Sequence, residues 1–178
     1  MNEVQVLDKK FRELITEEEI DRRIGELAEM INNDYKGEEV VFMGILNGAF
    51  LFAAELFKKI SLKARISFVK LASYEGTNSS GTVKELIGWN EDIKDKQIII
   101  VEDIVDTGNT IERITDELAL RKVAGVKVAS LLVKPDCYSK NIPLDYVGFR
   151  IPNDFVIGYG LDYSGYGRNL TSLYIQVK

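Results

Sequence analysis

The residues best equipped for chemistry stand together in Glu102-Asp103-Ile104-Val105-Asp106-Thr107-Gly108-Asn109-Thr110. Three carboxylates lead directly into a small turn that carries two hydroxyls. A short turn feeding a helix presents unpaired backbone N–H groups and the positive end of the helix dipole, which together suit a phosphate. Thr107 and Thr110 add hydroxyl donors, while Gly108 and Asn109 tolerate the positive φ that wraps backbone around an anion. Carboxylates beside a phosphate repel it unless they have another use. They can grip sugar hydroxyls, hold a Mg2+ ion that bridges to the phosphate, or move a proton. A blander alternative is a capped helix start with a solvated acidic loop.

The flanking sequence says how these residues are held. Ile98 to Val101 is an apolar, β-branched run with no charge, the signature of a strand buried on both faces of a parallel sheet. After Thr110, Ile111, Ile114 and Leu118 recur at helical spacing with Arg113, Asp116 and Glu117 off the stripe. The order is therefore strand, acidic tip, Thr-Gly-Asn-Thr loop, helix. Open α/β sheets bind ligands beyond the carboxyl end of such a strand.

The rest of the chain repeats this grammar. Thr16-Glu17-Glu18-Glu19 forms a capping box, and Ile20, Ile24, Leu27 and Ile31 continue it as an amphipathic packing helix to about Tyr35. Glu39 to Leu46 is a second buried strand; Asn47-Gly48-Ala49 is a tight turn, and Phe50 to Ile60 an apolar helix. That turn is either a plain βα connection or a second anion site. Lys63 to Ser73 reads as a strand, followed by a small, polar, glycine-rich segment from Tyr74 to Thr82 and a return strand from Val83 to Ile87. Val126 to Val133 is another strand ending in Lys134, and Asp145 to Ile151 a further one. Val4 to Leu7 reads as either a short strand or an arm, and Leu173 to Val177 closes the chain as a strand. Near Phe155, aromatics alternate with glycines, which suits a flat ring held on an aromatic face or simply a packed, tyrosine-rich end. Gly158-Tyr159-Gly160 lacks the third glycine and following helix of a dinucleotide fingerprint.

Composition narrows the function classes. A chain of 178 residues suits one domain with a sizeable core. A net charge of −5 argues against nucleic-acid and anionic-membrane surfaces. No apolar run is long enough to span a bilayer, and Met1 to Gln5 lack the regions of a signal peptide, so a cytoplasmic protein is expected. The chain has no histidine and a single cysteine, Cys137. Ser-His and Cys-His catalysis and histidine zinc sites are excluded, and acid–base work falls to Asp, Glu, Lys or Tyr.

Val101 to Thr110 resembles the phosphoribosyl diphosphate (PRPP) motif of the type I phosphoribosyltransferases, and its Glu-Asp-x-x-Asp-Thr-Gly form is most similar to the hypoxanthine-guanine branch. Three more segments match in the family's order: Leu46-Asn47-Gly48-Ala49, Leu131-Leu132-Val133-Lys134, and Phe155-Val156-Ile157-Gly158-Tyr159-Gly160-Leu161-Asp162-Tyr163. The first departs from the family's usual Lys/Arg-Gly-Ser: Asn47 and Ala49 remove a cation and a hydroxyl but leave the backbone donors. A cis peptide at Leu46–Asn47 is a further family expectation.

The resemblance implies an α/β, type I phosphoribosyltransferase fold over residues 1–178: a mostly parallel sheet flanked by helices (about 16–150), a hood (about 1–12 and 151–178), and a flexible lid beginning at Ser73-Tyr74. It implies transfer of a 5-phosphoribosyl group from PRPP to a 6-oxopurine, with release of pyrophosphate and a need for Mg2+. Glu102 and Asp103 would hold ribose hydroxyls and their Mg2+, Asp106 would take the purine N7 proton, and Asp106 to Thr110 would bind the 5′-phosphate. Asn47, Gly48, Ala49 and Arg168 would face pyrophosphate. Lys134 would donate to O6, Phe155 would stack on the base, the Val156 backbone would read its edge, and Asp162 would help hold a second Mg2+. The family also implies a homo-oligomer, dimer or tetramer. Two alternatives stand beside the enzyme: a PRPP-sensing regulator on the same fold, and an unrelated doubly wound binding module.

Overall fold

The computed structural model describes residues 2–71, 85–87 and 92–177. The chain opens with the hairpin β1 (Glu3–Val6) and β2 (Lys9–Ile15), then α1 (Glu17–Asp34), β3 (Glu39–Ile45), α2 (Phe50–Lys58) and β4 (Lys63–Leu71). It continues through β5 (Glu85–Ile87), β6 (Gln97–Val105), α3 (Asn109–Leu120), β7 (Gly125–Val133) and β8 (Tyr146–Arg150), and closes with β9 (Val156–Ile157) and β10 (Leu173–Gln176). The expected lid at Ser73 and Tyr74 lies outside the described residues. Among the described residues no helix is long and apolar enough to cross a membrane.

The main sheet has the order β5-β4-β3-β6-β7-β8, with β5 antiparallel to β4 and the other pairs parallel. Strand alternation sorts the core into two faces. Val40, Phe42, Ile99 and Val101 point to α1 and α2, joining Ile24, Leu27 and Phe52 in one cluster. Val41, Met43, Ile98 and Ile100 point the other way, to Ile111, Ile114 and Leu118 of α3. That two-sided burial is why these strands read as continuous apolar runs.

The order places β3 beside β6 while their connections leave in opposite directions, α2 toward β4 and α3 toward β7. The topological switch point, where such sheets open a crevice, therefore falls between the carboxyl ends of β3 and β6. Leu46–Ala49 and Asp106–Thr110 flank it.

A second, four-stranded sheet of order β1-β2-β10-β9 is built from both ends of the chain. The sequence reading did not anticipate β2. Two boundaries also differ. β6 stays extended through Glu102 and Asp103 to Val105, because Glu102, Ile104 and Val105 keep pairing with Ser130, Leu132 and Val133 of β7. α3 starts at Asn109 behind Gly108, which takes the left-handed φ of 89° as N-cap. Asn109 and Thr110 thus form the first helical turn rather than a loop. The α1 capping box is as expected: Thr16 Oγ1 accepts from the Glu19 N–H, and Glu19 Oε2 accepts from the Thr16 N–H.

Candidate active site

The acidic residues differ in exposure because β6 turns them to different faces. Glu102 is buried, 6% exposed, and its Oε1 accepts from the Asp103 N–H at 3.3 Å. Burial first, and the neighbouring Asp103 charge second, hold its pKa well above the usual carboxylate range. Asp103 is half-buried, and its Oδ1 accepts from the Ile104 N–H at 2.8 Å. Asp106 is exposed at the end of the strand. Among the described residues neither Glu102 nor Asp103 is ion-paired with Lys or Arg, although Asp106 is.

Beyond Asp106 the first intrahelical bond of α3 runs from the Glu112 N–H to the Gly108 carbonyl at 3.0 Å. The N–H groups of Asn109, Thr110 and Ile111 precede it at the helix end, and that of Asn109 donates to Thr107 Oγ1 at 3.5 Å. They border a cavity of about 80 Å³ that runs from Glu102 along the loop to Ile111. A larger cavity of about 690 Å³ lies between α1 and β8, lined by Arg23, Met30 and Val147 among others, but it carries none of the motif residues.

Two groups of predicted residues come together around this crevice. In the first, the Leu46–Asn47 peptide is cis, as expected, and the turn after it closes against Asp103. The fit is tight: a Cβ on Gly48 would lie 1.5 Å from Asp103 Oδ2. Gly160, at φ 101°, approaches from the C-terminal segment, where a Cβ would lie 2.0 Å from the Gly48 carbonyl oxygen. The Gly160 carbonyl accepts from Arg168 Nη1 at 2.7 Å, and Arg168 Nη2 pairs with Asp162 Oδ1 at 2.6 Å. Asp162 Oδ2 also accepts from the Gly165 N–H at 2.6 Å. Asn47, Gly48, Ala49, Asp103, Asp162 and Arg168 are thus one connected wall, with Asn47 exposed on it.

In the second group, Lys134 extends the β7 ladder by donating its N–H to the Val105 carbonyl at 3.0 Å. Its Nζ lies 3.3 Å from Asp106 Oδ2 and 3.4 Å from Asn153 Oδ1, with the side chain only 11% exposed. Burial and the Asp106 carboxylate push the nearby Cys137 thiol up. Phe155 follows Asn153 by two residues and is 42% exposed. Its ring stands edge-on to Tyr163 with centroids 5.9 Å apart, tilted against Phe11 at 6.3 Å. Val156 is buried in β9 opposite Ile175.

The sequence reading missed several neighbours. Asn153 shares Lys134, Gly160 seats on Gly48, and Lys9 of β2 sets its Nζ 5.3 Å over the Phe155 ring and 4.5 Å over Tyr163. Tyr138 and Lys140 lie against Gly108. Each is a long-range contact with no local sequence signal.

Comparison with known proteins points the same way. A family model described as "Phosphoribosyl transferase domain" matches residues 13–164. The chain is 39% identical over 173 residues to a hypoxanthine-guanine phosphoribosyltransferase of Aquifex aeolicus, covering 96% of this chain and 97% of that protein. It is 39% identical over 160 residues to a hypoxanthine phosphoribosyltransferase of Escherichia coli K12, covering 88% and 90%. A crystal structure of a hypoxanthine-guanine phosphoribosyltransferase from Bacillus anthracis superposes with a TM-score of 0.86 at 36% identity, covering 94% of this chain and 97% of that one. A structure of Trypanosoma cruzi hypoxanthine phosphoribosyl transferase, studied for the role of its C-terminal region in oligomeric state and activity, gives 0.88 at 34% identity, covering 98% and 95%.

Proposed function

The chain belongs to the phosphoribosyl transferase domain family, and from that premise we propose that it is a purine-salvage enzyme joining a 6-oxopurine to the 5-phosphoribosyl group of PRPP. Hypoxanthine, and guanine beside it, would give IMP or GMP and pyrophosphate. The observation that carries this reading is the Lys134–Asp106 pair, 3.3 Å apart at the mouth of the phosphate loop. A 6-oxopurine presents an acceptor at O6 beside a ring nitrogen at N7 that carries or sheds a proton. A cationic donor next to a carboxylate acceptor complements that edge. Adenine would set an amino donor against Lys134 and leave it unpaired, which disfavours it.

In this reading the purine N9 forms its bond to ribose C1′ as the C1′–pyrophosphate bond breaks. The electron pair leaves with pyrophosphate, and Asp106 receives the proton from N7. The protein's contribution is positioning and charge stabilisation of an oxocarbenium-like state. The Gly48 amide faces the leaving pyrophosphate, whose charge Arg168 offsets; the expected Ala49 donor is not available, because its N–H donates to the Ile45 carbonyl at 3.2 Å and the residue is buried. The amides of Thr110 and Ile111 and the hydroxyls of Thr107 and Thr110 hold the 5′-phosphate, and the exposed Phe155 face stacks on the base.

The donor set at the end of β6 fits Mg2+: Glu102 and Asp103 are hard oxygen ligands with no basic partner among the described residues, whereas Asp162 is engaged by Arg168 and the Gly165 N–H. Glu102 and Asp103 would hold one ion and Asp162 would help hold a second, and such ions when bound would neutralise charge on the substrate oxygens. Among the described residues no cluster of three or more His, Cys, Asp or Glu could hold a cation. The regulatory alternative lacks support, because the relatives that match nearly the whole chain bear enzyme names. A homo-oligomer is also proposed, testable by light scattering on the purified chain.

The test is to mix the protein with PRPP, Mg2+ and, in turn, hypoxanthine, guanine, xanthine and adenine, following nucleotide formation by ultraviolet absorbance. Hypoxanthine should be converted and adenine should not. Turnover of adenine alone, or of none of the four, would reject the assignment.

A further inference from the structure

The 5′-phosphate cradle has an electrostatic difficulty. Glu102, Asp103 and Asp106 lead into it, and Glu112 stands in the first turn of α3, the turn whose Thr110 and Ile111 N–H groups would face the phosphate. The turn from Thr107 to Thr110 contains no cation of its own. Lys134 is engaged by Asp106 and Asn153.

One further cation reaches the loop. The segment after Lys134 folds back over it: the Ser139 N–H donates to the Thr107 carbonyl at 3.4 Å, and the Tyr138 hydroxyl donates to the Ile142 carbonyl at 2.5 Å. Tyr138 and Lys140 both pack on Gly108, where an added Cβ would lie 2.5 Å from the tyrosine ring and 2.8 Å from Lys140 Cγ. Lys140 Nζ then sits 2.7 Å from Glu112 Oε2, with the lysine side chain only 22% exposed. This lysine is not a free surface chain; its stem is clamped against the loop that would hold the anion.

We propose that Lys140 is an electrostatic positioning residue for the 5′-phosphate of PRPP and of the product nucleotide, cancelling the Glu112 charge at the helix start. It rests on the reading of Asp106–Thr110 as the phosphate cradle. Without Lys140 the first turn of α3 carries a bare carboxylate where the helix dipole should favour an anion. With it, the turn offers its amides and hydroxyls unopposed. The same contact ties the segment that begins at Lys134 to the phosphate loop, so the residue facing the base and the residues facing the phosphate share one support.

Charge compensation produces effects of opposite sign at the two positions, which a mere structural clamp does not. In calorimetric titration of the full chain with Mg2+–PRPP, Lys140→Gln should raise Kd by roughly 3- to 10-fold, the size of one nearby charge in a partly solvated site. Glu112→Gln should lower Kd by about 2-fold or more, and the double variant should return near the parent value. Lys140→Arg, which keeps the charge, should keep the affinity. Both single effects should shrink between about 0.1 and 1 M salt, as the screening length falls from roughly 10 to 3 Å. An unchanged Kd in a folded Lys140→Gln protein overturns the proposal, as does weaker binding in Glu112→Gln. If the parent protein itself binds no PRPP, the cradle reading falls and the proposal with it, an outcome distinct from either.

Discussion

Replacing Gly160 by alanine tests whether the C-terminal segment and the Leu46–Ala49 turn form one wall of the site. Two costs can be worked from the structure. The φ of 101° at Gly160 is strained for any L side chain, at about 1–3 kcal/mol. The new Cβ would also start 2.0 Å from the Gly48 carbonyl oxygen, so the two segments must separate by about 1 Å to reach the closest tolerable contact. That movement carries the Gly160 carbonyl, which holds Arg168 at 2.7 Å, and with it Asp162. A misplacement of about 1 Å in a positioning group lowers rates by up to roughly 100-fold. We therefore expect kcat/KM for PRPP, and for pyrophosphate in the reverse reaction, to fall about 10- to 100-fold. The thermal midpoint should drop about 2–12 °C, at roughly 2–4 °C per kcal/mol for a chain of this size. Gly37→Ala is the control. Gly37 has a φ of 87° but open space around its Cβ position, and it lies beyond α1 at the other end of the sheet. It should lose stability without losing pyrophosphate affinity. A folded Gly160→Ala protein whose PRPP and pyrophosphate KM values stay within about twofold of the parent would refute the shared wall.

Other perturbations probe single groups. Asp106→Asn should leave the circular dichroism spectrum intact and lower kcat by roughly 10²–10⁴, the range for losing a general base; unchanged turnover rejects the role. Lys134→Ala removes a charge-assisted donor worth about 1.5–3 kcal/mol, so the hypoxanthine KM should rise about 10-fold or more, and an unaltered value counts against the O6 contact. Glu102→Gln should change stability with pH. Burial raises the folded-state pKa of Glu102, so between the ordinary carboxylate range near pH 4 and that raised value the folded state keeps a proton that the unfolded state has lost. Stability therefore falls as pH rises through that window. Thermal midpoints without ligand should fall less steeply for Glu102→Gln, and the variant should exceed the parent at neutral pH; a less stable variant there contradicts the burial argument.

How far the sequence foretold this structure depends on the range of the interaction. Val40 to Ile45 and Ile98 to Val101 were readable because burial on both faces demands unbroken apolar runs. Thr16 and Glu19 were readable because a capping box is local. β2 was not: Lys9-Lys10-Phe11-Arg12-Glu13-Leu14-Ile15 is rich in charge, with Phe11 and Ile15 its only buried side chains. Its turn also hides, since Leu7 takes a φ of 52° where glycine or asparagine would have signalled a hairpin. The continuation of β6 through Glu102 and Asp103 was obscured by their charge, because pairing with β7 outweighs side-chain polarity at a strand end. The site's residue types were legible, but its wiring was not. Gly160 on Gly48, Arg168 on Asp162, and Lys140 on Glu112 join positions far apart in the chain or separated by a fold-back, and no spacing rule encodes them.

The central claim is that the acidic end of β6 and the threonine turn behind it cradle a sugar 5′-phosphate, with the base edge read by Lys134. A crystal structure of the protein soaked with IMP tests this most directly. The account predicts phosphate oxygens within about 2.7–3.2 Å of donors on Thr107 to Ile111, with O6 at Lys134 Nζ. A nucleotide bound in the cavity between α1 and β8, with that loop empty, would contradict it.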